Sequence, residues 1–170
     1  YGPDGRDPTV YDFPFCYKKL EQRKASSFKV AYLKNLFEKD TSDANEQAKL
    51  SLFDFRDLGI ELLEDSLPTS FPFNAFDIIL RAEAGAFFDE LVRTGKVDNM
   101  TEQSRRSRAN SLRQSRFIPA VEYIQANRHR TMLIEEMHKL LSKYDAIITP
   151  TFGGNQLITT NLTGHPVITI

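Results

Sequence analysis

Phe28-Lys-Val-Ala-Tyr-Leu33, Asp43-Ala-Asn-Glu46 and Ile60-Glu-Leu-Leu63 are the runs whose order decides the fold. The first and last carry the aromatic and β-branched content of short strands. Between them Asp43 is placed to cap a helix, and Glu46, three residues on, completes a variant of the capping box. Ala48, Leu52 and Phe55 then recur at i, i+4 and i+7, and Gly59 stands where a left-handed residue would close that helix. A strand, a helix and a strand in close succession predict a βαβ unit, with parallel strands and a right-handed crossover.

Working outward, the stretch before this unit is turn-rich, with Gly2, Pro3, Asp4, Gly5, Asp7 and Pro8 clustered at its start. After Leu67-Pro68, a helix is predicted from Asn74 to about Arg93, with Phe76, Leu80, Phe87 and Leu91 on one face and Gly95 beyond its end. A further helical stretch is expected from Thr101 to about Leu112. A long helix should begin near Pro119 and run to about Lys143, with Leu133, Met137, Leu140, Leu141 and Tyr144 as its later stripe. Asp145-Ala-Ile-Ile-Thr149 then reads as a buried strand stopped by Pro150, and His165-Pro-Val-Ile-Thr-Ile170 as another strand, joined by a Gly153-Gly154 loop and a polar turn at Asn161 to Gly164. The alternation implies an α/β fold, expected here as part of a large mixed sheet covered by helices. The organisation expected is one α/β piece over 1–170: a turn-rich connection at 1–27, the βαβ unit at 28–68, helices at 69–116, and the long helix with pocket-lining strands at 117–170. Because the chain opens at Tyr1 inside a turn-rich stretch and stops on an apolar strand residue, a piece of a larger domain is expected.

Composition bounds the remaining classes. With 170 residues, 41% hydrophobic and 26% charged, at a formal net charge of −1, the chain resembles an ordinary globular protein rather than a disordered or fibrous one. No apolar run approaches the roughly 20 residues that span a bilayer. One cysteine, Cys16, makes no internal disulfide, and His129, His138 and His165 are too scattered for a zinc finger. A cytoplasmic protein without metal or organic cofactor is expected.

Candidate chemistry is sparse. Ser26-x-x-Lys29 has the spacing of a Ser–Lys nucleophile pair, but that chemistry needs a helix, whereas positions three apart on a strand face opposite sides. Glu135-x-x-His138 lacks the additional carboxylates and the second Glu-x-x-His of a metal-carboxylate bundle and reads as a solvated helix face. Asn99-Met-Thr101 and Asn161-Leu-Thr163 are formal glycosylation acceptors that read as chance without a secretory signal. Between Ser104 and Arg130 stand seven arginines and one acid, Glu122, a local formal charge of +6. That patch could serve RNA, but near-neutral overall charge favours arginines answered by acidic surface within the fold. The C-terminal run is the most specific: ligands in α/β sheets sit at the carboxyl ends of strands, where Thr149, Thr151, Asn161 and Thr163 supply polar groups and Gly164 permits close backbone approach, although the same residues also suit plain turns.

Those residues also carry a resemblance. Ser115-Arg-Phe-Ile-Pro-Ala-Val-Glu-Tyr-Ile-Gln-Ala-Asn127, Arg130, Tyr144-Asp-Ala-Ile-Ile-Thr-Pro-Thr151 and Asn161-Leu-Thr-Gly-His-Pro-Val-Ile-Thr-Ile170, in that order, resemble the later part of amidase-signature enzymes, a family of general amidases and of the amidase subunit of the Asp/Glu-tRNA amidotransferases. Tyr1-Gly-Pro-Asp-Gly-Arg-Asp-Pro8 resembles the segment that follows the family's signature region. The resemblance implies a hydrolase that cleaves a carboxamide C–N bond through an acyl-enzyme, using a Ser–cis-Ser–Lys triad and backbone N–H groups for the oxyanion. No Gly-Ser-Ser-Gly-type run occurs in these residues, and Ser26-Ser27 lacks the flanking glycines, so the triad is not carried onto it and the chain alone is expected to be inactive. By the same resemblance, Thr149, Thr151, Asn161, Thr163 and Gly164 would shape the acyl side of the substrate pocket, and no residue here would be catalytic. The partners implied are an N-terminal catalytic half, a small amide substrate and, as an option, a second copy in a homodimer; nucleic acid and membrane are not expected. The stretch Gln114 to Tyr123 lacks the Arg-rich, Gly-containing pattern of the tRNA-linked amidotransferase, which favours a general amidase over an enzyme acting on aminoacyl-tRNA. The alternatives from other classes are a basic RNA-binding module and a domain that merely completes a partner's sheet.

Overall fold

The computed structural model describes residues 3–6, 10–14, 23–39, 43–150 and 153–169. Its centre is β1 (Val30–Leu33), four residues whose relative exposure never exceeds 9%. β2 (Leu62–Asp65) pairs with it on one side, Val30 opposite Leu62, and β3 (Ala146–Ile148) on the other, Val30 opposite Ala146; both pairings are parallel. The parallel βαβ expectation is met. Among the described residues the sheet has three strands, all parallel, in the order β2-β1-β3.

Two helices make the crossover between β1 and β2. α1 (Lys34–Lys39) follows β1 directly, and α2 (Asp43–Asp57) has Asp43, read from sequence as a cap, as its first helical residue. α2 ends as its glycine foretells: Gly59 has φ 78°, its N–H donates to the Arg56 carbonyl, and the Ile60 N–H donates to that of Phe55. That closure holds Ile60 outside the ladder, so the second strand begins two residues later than its sequence pattern indicates.

The long stretch between β2 and β3 is helical. A 3-10 turn at Phe73–Ala75 leads into α3 (Asp77–Phe87), and after a break at Phe88 α4 (Asp89–Arg93) follows. The single predicted helix from Asn74 to Arg93 is thus divided, and its buried face is Phe76 and Ile79; Leu80 and Phe87 are 62% and 82% exposed. α5 (Arg108–Ser115) starts later than predicted because Ser107, not Thr101, is the cap: its Oγ accepts the Asn110 N–H. α6 (Ala120–Leu141) follows Pro119 closely as read from sequence, with Leu133, Met137 and Leu140 buried.

After β3 comes the largest correction. α7 (Gln156–Thr163) is a helix where a polar turn was expected at Asn161 to Gly164, and His165 to Thr169 pair with no strand. Threonine hydroxyls explain it: Thr159, Thr160 and Thr163 donate to the carbonyls of Asn155, Gln156 and Thr159, one turn back. Residues with strand propensity are thereby accommodated in helix. Gly164, at φ 69°, closes it with its N–H on the Thr160 carbonyl.

Alternation of side chains on the sheet builds two apolar layers. Ile148, Tyr32 and Leu62 meet Phe37 of α1 and Leu52 of α2 on one face. Ile147 on the other joins a larger cluster of Phe73, Phe76, Ile79, Leu133, Met137 and Leu140 beneath α3 and α6. Helices cover the central strand on both sides, as parallel sheets require.

Candidate functional site

The parallel strands point their carboxyl ends one way, toward Lys34, Ser66 and Thr149. Lys34, Asn35, Glu38, Glu64, Asp65 and Ser66 line a shallow cavity of about 420 Å³ there. Its charges are mutually satisfied. Lys34 Nζ lies 2.9 Å from Glu64 Oε1, which also accepts the Tyr32 hydroxyl at 3.1 Å. The Lys34 ammonium, then the Tyr32 hydroxyl, hold the Glu64 carboxyl below its usual range. Burial, then Glu64, pushes the Tyr32 phenol up. Asp65 accepts the Tyr144 hydroxyl at 2.7 Å; burial raises this carboxyl, but the bonds from Tyr144 and the Ser66 N–H outweigh that and leave it lowered. Carboxylates held this way are firm acceptors and structural anchors, not proton donors near neutrality.

At the start of β3 a second polar cluster ties in the chain that precedes β1. Asp145 takes Arg23 through both carboxylate oxygens, at 2.9 and 3.3 Å, and the Lys29 N–H at 2.8 Å. Arg23 in turn lies 4.2 Å from the centre of the Phe28 ring.

Thr149, Asn161, Thr163 and Gly164, predicted to shape a pocket, are not among the residues that line the cavity at the carboxyl ends. Thr149, half-buried at the carboxyl end of β3, donates to the adjacent Pro150 carbonyl at 3.2 Å. Asn161, Thr163 and Gly164 lie together at the far end of α7, after the Gly153-Gly154 turn and the earlier residues of that helix. Thr163 donates to Thr159, so the His165 Nδ1, 2.7 Å from the Thr163 oxygen, is the donor of that bond. Burial and the charge of His138 hold the His165 pKa below its usual value. Asn161 is exposed, and Thr151 lies outside the described residues. Ser26 sits in a 3-10 turn at Ala25–Ser27, while Lys29 approaches the Tyr144 ring at 5.6 Å, an arrangement that gives no nucleophile–base pair.

Three features escaped sequence reasoning. Arg130 Nε donates to the Leu162 carbonyl at 2.6 Å and ties α6 to the last turn of α7. Gln156, at the opposite end of α7, is 4% exposed and its side-chain Oε1 has no hydrogen-bond partner. A cavity of about 460 Å³ opens between α3 and the α5–α6 junction over a floor of Ala82, Gly85, Ala86 and Ala120. A lone glutamine and scattered alanines leave no spacing signal. Of the seven arginines, Arg113 and Arg116 pair with Asp98 and Asp89, and Arg130 is engaged with Leu162; Arg105, Arg106, Arg108 and Arg128 make no ion pair among the described residues. The arginine patch is thus only partly answered within the fold.

Fold and site define an α/β protein with a small parallel sheet and polar clusters at both ends of its strands. No family model matches the chain, and no curated protein matches it. Among the described residues no helix is long and apolar enough to cross a membrane.

Proposed function

We propose that these residues are the C-terminal part of a cytoplasmic amidase-signature hydrolase, which cleaves a carboxamide C–N bond through an acyl-enzyme without metal or organic cofactor. Its Ser–cis-Ser–Lys triad lies on polypeptide outside these residues. The ordered set of runs from Ser115 to Ile170 carries the reading. The parallel arrangement of β1 and β3 supports it, since it presents Thr149 at the carboxyl edge where α/β sheets receive ligands. Gly153 supports it too: a Cβ there would lie 3.5 Å from Leu36, so the loop after β3 runs close against the element after β1.

In this reading the chain binds and orients; it does not break the bond. Thr149, Thr151, Asn161, Thr163 and Gly164 shape the acyl side of the pocket. The Thr163 hydroxyl and the left-handed Gly164 hold the end of α7, so that the exposed Asn161 amide is the group free to meet a substrate. In the product of the full reading frame, Asn161→Ala is expected to raise KM by about tenfold, the worth of roughly one good hydrogen bond, with the melting temperature unchanged. An unchanged KM would assign Asn161 to the helix end alone.

A further inference from the structure

Five polar side chains are buried among the described residues: Asn45, Ser107, Ser115, Gln156 and Thr159. Four of them are hydrogen-bonded. Asn45 Nδ2 donates to the Phe37 carbonyl, Ser107 Oγ accepts the Asn110 N–H, and Ser115 and Thr159 donate to the carbonyls of Leu112 and Asn155. Gln156 is the exception. It is 4% exposed, its Oε1 is enclosed without a partner, and its amide nitrogen makes no hydrogen bond among the described residues either. Buried amides are almost always satisfied, because a dry one forfeits its hydrogen bonds to water. An open one in an otherwise satisfied interior marks a place where a group from outside the chain completes the bonding.

Gln156 is the first residue of α7, and the turn before it runs against the element that follows β1. At Gly154, φ 51°, a Cβ would fall 3.1 Å from Leu36 Cδ2. The open end of α7 therefore stands at the carboxyl edge of the sheet, where α/β folds receive ligands. Its first turn leaves the N–H groups of Leu157 and Ile158 without an acceptor among the described residues. A helical Cα–Cβ bond tilts toward the N-terminus, so the Gln156 side chain leans to the side that these N–H groups face. The flanking Gly154, Asn155 and Leu157 are exposed, so the way in is short.

The open groups at this end of α7 are of both kinds: donors in the Gln156 amide nitrogen and the two N–H groups, and an acceptor in Gln156 Oε1. A carboxylate or phosphate, the usual guest of a helix N-terminus, accepts from the donors but sets its own charge against Oε1. A carboxamide answers both, since its carbonyl oxygen takes N–H donors and its nitrogen donates to Oε1. We propose that the first turn of α7 is a carboxamide-binding site, in which Gln156 holds the amide group of a small substrate and tells it from the carboxylate product. That the bound amide is a substrate rests on the amidase reading, which the site deepens by separating substrate from product. Gln156 is a specificity residue here and breaks no bond.

Heteronuclear NMR titration of the nitrogen-labelled chain with butanamide, butanoate and N,N-dimethylbutanamide tests it. Butanamide is expected to shift the Gln156 side-chain amide and the Leu157 and Ile158 N–H signals saturably. Butanoate, which brings no donor, and N,N-dimethylbutanamide, which brings no N–H, should bind more weakly by about tenfold or more. Gln156→Met keeps the length of the side chain without its amide and should lose the butanamide response by a similar factor. Circular dichroism should show that variant folded, at an unchanged or higher melting temperature, since it removes an unmatched polar group. No saturable response to butanamide overturns the proposal, as does equal or tighter binding of butanoate, which would assign the helix end to anions. A butanamide response kept in Gln156→Met overturns it too, and so does a lowered melting temperature, which would mean that the amide is bonded within the fold. Ammonia release by the product of the full reading frame distinguishes the two readings. Release untouched by Gln156→Met keeps the amidase and discards the site, whereas Gln156-dependent binding of butanamide without release keeps the site and discards the amidase.

Discussion

Gly85 marks the place where α3 meets α5 most closely. A Cβ there would overlap Ser115 Oγ and fall 2.6 Å from the Ser115 Cβ. Alanine for glycine inside a helix ordinarily gains about 1 kcal/mol. Here the clash reverses the sign, since overpacking costs about 1–3 kcal/mol and Ser115 is itself buried. Gly85→Ala is expected to lower the unfolding free energy by about 1–2 kcal/mol in denaturant titrations, and Ser115→Gly in the same chain to recover part of the loss; a stabilised Gly85→Ala would refute the contact. Gly85 stands among the small residues Ala82, Ala84 and Ala86, but nothing in their spacing says what approaches them, because the constraint is tertiary. Gly59 and Gly95 are different. Their left-handed φ of 78° and 74° follows from local chain geometry, and their places after helical patterns were enough to read it.

Among elements, the fastening of residues 23–29 to β3 depends on Asp145. Hydrogen bonding from Arg23, then from the Lys29 N–H, lowers this carboxyl below its ordinary range. A carboxylate whose folded pKa is depressed binds its proton more readily in the unfolded chain, so its contribution is full above the unfolded value of about 3.9 and is lost as pH falls through the folded value. Asp145→Asn is therefore expected to lower stability at neutral pH and to flatten the acid limb of the stability profile below about pH 4. An unchanged acid limb would mean that the pair contributes nothing. α6 offers the sharper contrast between its two sides. Leu133→Ala, at a fully buried position, should cost about 2–5 kcal/mol, and Val121→Ala, on the exposed side, less than about 0.5 kcal/mol in dilute solution. Equal effects would contradict the assignment of faces. This helix was legible because Leu133, Met137 and Leu140 repeat at helical spacing over many turns. α7 was not. Asn161 to Gly164 read as a polar turn, and only the threonine hydroxyl bonds to the preceding turn reveal why the residues before Gly164 sit in a helix.

For the whole molecule, the governing feature is a sheet of three parallel strands whose central strand is covered on both faces while β2 and β3 form its margins. Parallel pairing followed from the strand–helix–strand order, because a short turn cannot join parallel neighbours. The size of the sheet did not follow: His165 to Thr169 have the composition of a strand but find no pairing partner here, and propensity alone does not supply one. The pocket was legible only in part for a related reason. Thr149 stands at the carboxyl edge that strand polarity dictates, whereas Asn161, Thr163 and Gly164 belong to the last turn of an unforeseen helix and its cap. What the chain presents at the carboxyl edge of its sheet is a set of polar groups bonded to one another, with no nucleophile beside a base among the described residues. The most direct test is ammonia release from simple carboxamides, followed with the 170-residue chain and with the product of the full reading frame that contains it. Saturable release by the full product and none by the chain alone is the predicted result; release by the chain alone, or by neither, would contradict the account.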